Sequence, residues 1–237
     1  MNQMVFIHGP GAGGCAESFV HQLKHYPGSL APTLPGHLEG KHCPTVERYT
    51  EWLRGWMWAR GKHQDLVLVG FTLGACIALR YGLDYPDEVK ALVLMTVAMR
   101  PKERPRSAVE LRLKAAQDAE TYQKWLDLNR HNMMFIDPEL RERLVECHRK
   151  VGPMSQCHDF GVIDQFDVRD RIQTLKPPLL LIRGADDLGT PPEYELEIHQ
   201  AVPGSQYLKF KNAGHFPFAE KPAEVNRAID EFLASRT

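Results

Sequence analysis

Three residues of this chain have the types and the order that nucleophilic catalysis needs. Thr72 stands in Val67 to Leu79, VLVGFTLGACIAL, where an apolar run passes through Gly-Phe-Thr-Leu-Gly into a helical stretch. Asp187 lies in RGADDLGTPPE and His215 in KNAGHFPFAEKP, each after its own apolar run. A hydroxyl becomes a useful nucleophile when an imidazole takes its proton and a carboxylate holds that imidazole in one tautomer. An imidazole suits the role because it titrates near working pH. A fourth segment, the glycine-rich FIHGPGAGG, follows the first apolar run.

These segments need a frame that delivers them to one place. Short Val, Leu and Ile runs that are apolar on both faces alternate with longer amphipathic stretches, the pattern of a parallel sheet covered by helices on both sides. Strands are expected near Met4–Ile7, Ser29–Ala31, Leu66–Val69, Ala91–Met95, Leu179–Arg183 and Gln206–Phe210. Helices are expected near Ala16–His25, Val46–Arg60, Leu73–Tyr85, Pro192–Ala201 and Ala223–Ala234. Open α/β sheets bind ligands at the carboxyl ends of their strands. All four chemical segments follow a strand and so fall at that edge.

Between residues 101 and 171 the alternation stops, and SAVELRLKAAQDAETYQKWLDLNR and DPELRERLVECHRKV read as amphipathic helices. Asp137 and Pro138 mark a helix start, as cap and first residue. The division expected is a core of residues 1–100 and 172–237 with a helical lid of 101–171. Trp125, Met133, Met134, Phe135 and Ile136 form an apolar cluster that either roofs a pocket or packs the insertion's own core.

Composition removes several function classes. The 237 residues fit one large α/β domain with an insertion, and 29 Lys and Arg against 30 Asp and Glu leave no field to draw nucleic acid or an anionic membrane. Five cysteines show no C-x-x-C pair and no metal-ligand spacing, which fits a reducing compartment. No export segment leads the chain and no apolar run spans a bilayer, so the expected location is the cytoplasm. The expected partner is a small-molecule substrate, with no nucleic acid, no membrane, no cofactor and no metal, for a monomer or homodimer.

The four ordered segments resemble the α/β-hydrolase superfamily along nearly the whole chain. More narrowly, the sequence resembles its small, lidded esterase and lactonase branch, which reads His-Gly after an early strand, Gly-x-Ser-x-Gly at the elbow, Gly-x-x-Asp before a proline, and Gly-His near the end. LRYGLDYPDEVKALVL, QFDVRDRI and EKPAEVNRAIDEFL fit the same pattern. The resemblance implies a minimal, six-stranded, wholly parallel sheet in the order 2-1-3-4-5-6, with helices on both faces and a helical lid. It implies acyl transfer on an ester, thioester or lactone, with Thr72 in the nucleophile's place, His215 as base and Asp187 as its orienter. Gly184-x-x-Asp187, with Pro191 beyond, fits the family spacing better than Asp186 does. By the family's rule Leu73 N–H donates to the oxyanion. The second donor should follow His-Gly, where Pro10 has no N–H. Gly11 would serve if the loop is shifted by one residue.

Each assignment has a structural alternative. His8 braces the first loop in this family. His37, His42, His63, His148, His158 and His199 lack a spaced partner and read as solvated or core residues. Phe71 and Phe216 either line the acyl pocket, with Trp125, Met134 and Phe135, or wedge the turns. Thr72 itself admits three readings: an atypical nucleophile, a hydrogen-bonding group beside a proton-transferring His215–Asp187 dyad, or a packing residue in a site that only binds. A Ser→Thr change made in an ordinary serine hydrolase would read the same. A β-branched residue is poorly suited to the positive φ of a nucleophile elbow.

Overall fold

The computed structural model describes residues 3–11, 15–103 and 105–236; residues 12–14 of the glycine-rich segment lie outside these. Five parallel strands, β1 (Gln3–Ile7), β2 (Leu66–Phe71), β3 (Val89–Met95), β4 (Leu179–Gly184) and β5 (Gln206–Phe210), pair in the order β1-β2-β3-β4-β5. Helices α1 (Cys15–Ser18), α2 (Val20–His25) and α3 (Val46–Trp58) lie between β1 and β2, and α4 (Leu73–Asp84) joins β2 to β3. Four helices, α5 (Arg106–Ala115), α6 (Ala119–Asn132), α7 (Pro138–Val151) and α8 (Pro153–Ile163), fall between β3 and β4. Then come α9 (Glu193–Ala201) before β5, and α10 (Pro217–Glu220) and α11 (Pro222–Ala234) after it.

The expected six-stranded sheet is thus five-stranded. The missing strand, Ser29–Ala31, survives as one parallel bridge beside β1, where Leu30 N–H donates to Met4 O and Phe6 N–H donates to Leu30 O. The next donor along would come from Pro32, which has no N–H, so the ladder stops after one rung. The bridge sits on the far side of β1 from β2, where the 2-1-3-4-5-6 order puts it. The helix expected over Ala16–His25 is also broken, at Phe19.

Alternation along the strands explains why both faces are covered. Val5, Ile7, Leu66, Leu68, Leu92, Leu94, Leu179 and Leu181 pack with α3 and α4 on one side. Met4, Phe6, Val67, Val69, Val93, Met95, Leu180 and Ile182 pack on the other with Phe218 and with Val225, Ile229 and Phe232 of α11. The inserted helices share these cores instead of forming one apart: Leu126, Met133, Ile136, Leu140 and Leu144 join the second cluster, Val162 and Ile163 the first. Asp137 caps α7 by accepting from the N–H groups of Glu139 and Leu140, with Pro138 opening the helix. Among the described residues no helix is long and apolar enough to cross a membrane.

Backbone packs closely on backbone where α4 leaves β2. A Cβ on Gly74 would fall 2.0 Å from Ile7 O, and one on Gly70 would fall 2.4 Å from Gly74 O. Both obstacles are backbone, so neither yields by side-chain rotation. Gly74→Ala is expected to lower unfolding stability by about 3 kcal/mol or more, an overpacking effect at a site that cannot relax. Urea denaturation followed by far-UV circular dichroism measures it, and an unchanged midpoint would mean that β1 and α4 stand further apart than described.

Candidate active site

Thr72 occupies the single residue between β2 and α4, with φ 48° and ψ −106°. Threonine in this region is strained because its β-branch meets the backbone. Neighbouring strand ends hold the turn: Thr72 N–H donates to Met95 O at 3.0 Å and Gly74 N–H to His8 O at 3.1 Å. The Thr72 hydroxyl oxygen is buried without a hydrogen-bond partner and lies against Gly9, where a Cβ would come within 2.5 Å of it. It makes no hydrogen bond to His215.

The acid and base are paired. His215 Nδ1 lies 3.1 Å from both carboxylate oxygens of Asp187, which leaves Nε2 as the ring nitrogen free for substrate chemistry. Asp186, beside it, is exposed and its side chain takes no part. Asp187 Oδ1 also accepts from Gly189 N–H at 2.7 Å and Thr190 N–H at 3.2 Å. Burial works against its ionisation, but His215 and then Gly189 and Arg183 outweigh that and hold its pKa below the ordinary value.

Arg183 is the support that sequence reading passes over. Buried at the end of β4, it donates to the carbonyl oxygens of Asp187 at 3.0 Å and of Thr190 at 2.5 Å, and to Glu195 Oε2 of α9 at 3.0 Å. Glu195 in turn accepts from Thr96 N–H after β3. The acid loop is therefore fastened to two further elements. Its signal in the sequence is an arginine inside the otherwise apolar LLLIRG.

The oxyanion loop departs from the expectation for Gly11. Its N–H donates to Asp159 Oδ2 of α8 at 2.9 Å, and at φ 58° its Cα lies so near Gln156 that a Cβ would fall 2.0 Å from Cγ. A buried carboxylate has taken the donor, so Gly11 is not free to serve an oxyanion. Pro10 lines the cavity but has no N–H to offer. Leu73 N–H is the first of α4 and has no acceptor inside the helix, which leaves it, among the described residues, open to a ligand. His8 is a brace: its Nδ1 bonds Gly9 O at 2.8 Å and its Nε2 accepts from Leu34 N–H at 2.9 Å. Burial, and then the proximity of His37, keep its pKa well below the ordinary value.

Thr72 and His215 open on a common cavity of about 240 Å³. Phe71, Phe216 and Trp125 line it, and Phe71 also packs edge-on to His215 at 5.3 Å, so the two phenylalanines both line and wedge. Met134 and Phe135 do not line it. They are 55% and 41% exposed and border a separate crevice beside Asp187, because α6 ends at Asn132 and the chain turns outward after the buried Met133. Asn129, Asn132 and Lys102 line the cavity without having been singled out, and His148, read as a solvated or core residue, lines it while buried. Trp125, Asn129 and Asn132 stand at i, i+4 and i+7 on α6, a one-face spacing that could have identified them. Burial lowers the His148 pKa to about 4.

This fold and this ordered alcohol, acid and histidine set define a class, and the comparisons agree with it. The chain matches the alpha/beta hydrolase family over residues 4–228 and belongs to that family. It is 23% identical over 246 aligned positions to the pimeloyl-[acyl-carrier protein] methyl ester esterase of Vibrio campbellii, covering 98% of this chain and 94% of that one. Among solved structures it superposes on a thermophilic esterase from Thermogutta terrifontis with a TM-score of 0.83 at 22% identity, covering 100% of this chain and 90% of that one. The enol-lactonase of Burkholderia xenovorans LB400 gives 0.83 at 18%, covering 99% and 92%.

Glu220 supplies a pH-dependent test of how closed this corner is. Its Oε2 accepts from Gly214 N–H, its Oε1 is buried without a partner, and burial pushes its pKa up from 4.5 to about 7. Between those values the folded protein keeps a proton that the unfolded chain has lost, so this residue's contribution to stability falls as pH rises. In Glu220→Gln that slope is removed. The stability of the variant relative to the parent should grow from about pH 4.5 to about pH 7 and then level off. Urea midpoints across that range check it, and a pH-independent difference would mean that the carboxylate is solvated.

Proposed function

We propose that this alpha/beta hydrolase cleaves an ester, thioester or lactone of a small, largely apolar acyl group, without a cofactor. The observation that carries the reading is the His215–Asp187 pair standing with Thr72 around one cavity. Thr72 Oγ1 attacks the carbonyl carbon while His215 Nε2 takes the hydroxyl proton. Leu73 N–H stabilises the oxyanion, and His215 returns the proton to the leaving oxygen or sulfur as that bond breaks. Water then repeats the sequence on the acyl-threonine. In the resting arrangement the hydroxyl rests on Gly9, so attack requires a χ1 rotation towards His215. That rotation, the β-branch and the loss of Gly11 N–H as a donor all act towards slow turnover. Loss of one oxyanion donor costs about 3–4 kcal/mol. Residues 101–171 act in this reading as a lid on a core of 1–100 and 172–237. The similarity to proteins named as esterases and as a lactonase supports the acyl substrate class.

One observation favours a second reading. A hydroxyl unbonded to His215, with Gly11 N–H spent on Asp159, fits a dyad that moves a proton while Thr72 only contacts substrate. Rates on short- and medium-chain p-nitrophenyl esters separate the two. Under the hydrolase reading Thr72→Ala abolishes turnover and His215→Ala lowers kcat/KM by about 10²–10⁴. Thr72→Ser raises kcat/KM, because it removes the β-methyl that restricts χ1 and crowds the path of attack. Activity that survives Thr72→Ala but not His215→Ala would overturn the covalent route.

A further inference from the structure

Behind the oxyanion loop lies a second cluster of chemistry-bearing side chains, none of which lines the substrate cavity. His42 and His158 bring ring nitrogens, and Asp159 a carboxylate oxygen, within 4.8 Å of one another. His37 Nε2 stands 2.9 Å from Asp159 Oδ2, at an angle that makes no hydrogen bond, and both side chains are wholly buried. His42 Nδ1 is likewise buried without a hydrogen bond, 3.9 Å from Asp159 Oδ1.

The outward nitrogen of each ring is already engaged. His37 Nδ1 bonds Leu34 O at 3.1 Å, His42 Nε2 meets Ser155 Oγ at 3.2 Å, and His158 Nε2 bonds Cys43 O at 2.9 Å. Carbonyl acceptors put a proton on His37 Nδ1 and His158 Nε2, the kind of outer partner that orients a histidine ligand, while the Ser155 hydroxyl orients the His42 ring. Asp159 is held as well, by Gly11 N–H and by the Tyr49 hydroxyl at 3.3 Å.

We propose that His42, His158 and Asp159 hold a Zn²⁺ ion that ties α8 to the connection between Leu34 and Cys43 and, through Asp159, to Gly11 of the oxyanion loop, with His37 standing beside the Asp159 ligand. Two imidazoles and one carboxylate are three protein ligands of the types zinc takes, with a fourth position left for water. His42, with its side chain 26% exposed, gives the ion a way in and is the ligand that must move inward. This departs from the expectation of no metal, which weighed cysteine spacing and not histidines from two segments more than a hundred residues apart.

The full-length, tag-free protein tests this. After dialysis against EDTA it is titrated with Zn²⁺ in competition with a chromophoric chelator, with bound metal measured by mass spectrometry and folding of each variant checked by circular dichroism. One equivalent should bind, and the melting temperature should rise with it. Affinity should fall at least about 100-fold in His42→Ala and in His158→Ala, and about tenfold or more in Ser155→Ala, which removes only a supporting contact. His25→Ala, at a surface pair elsewhere, should change nothing. Substoichiometric zinc, or an affinity that follows Cys157→Ser while His42→Ala and His158→Ala leave it unaltered, would overturn the proposal.

Discussion

The structure turns on the close approach of α4 to the ends of β1 and β2. Gly70 and Gly74 let backbone meet backbone where any side chain would collide with a carbonyl oxygen. That approach forces the one residue between strand and helix into positive φ, and the residue is threonine. The first N–H of α4, at Leu73, and the Thr72 side chain are thereby set at the carboxyl edge of the sheet, where β4 and β5 deliver Asp187 and His215. The strain at the elbow is sustained by the sheet around it. Met95 O and His8 O fix the turn from two neighbouring strand ends, so relaxing φ at Thr72 would mean breaking contacts outside the turn.

A second set of constraints positions the acid. Arg183 is buried in the last residues of β4, and it joins the carbonyls of the Asp187 loop to Glu195 and, through it, to Thr96. Truncating one partner of such a pair leaves the other charge uncompensated in the interior, which costs about 3–5 kcal/mol. The half of the site around Asp187 is therefore tied to several elements, while Thr72 is crowded against Gly9 and Gly11 N–H is given to Asp159. This imbalance is why Thr72 and Pro10 belong together: each removes part of what the acyl-transfer step draws on, and the well-held dyad is what they leave intact.

Much of the fold is legible in the sequence because parallel strands buried on both faces announce themselves as short apolar runs, and the elbow helix starts at Leu73 as its residues suggest. Ser29–Ala31 reads as a strand by its apolar content, but a ladder needs donors, and Pro32 withholds one. The site is legible where chemistry follows a strand directly, as at Thr72, Asp187 and His215. It is illegible where partners come from distant segments. Gly11 reads as a free donor until α8 brings Asp159 to it, and Met134 and Phe135 read as pocket wall until the end of α6 turns them outward. His37, His42 and His158 read singly as bland, since only the packing of α8 on the connection after β1 makes them neighbours.

The central claim, that a strained threonine attacks substrate, is tested most directly by covalent trapping. The protein is incubated with a fluorophosphonate and, separately, with an activated acyl ester quenched in acid, and peptides are mapped by mass spectrometry. The account predicts a single phosphonyl or acyl adduct on the peptide holding Thr72, absent from Thr72→Ala and from His215→Ala. Ester turnover by the parent with no adduct at Thr72 under either reagent would contradict it.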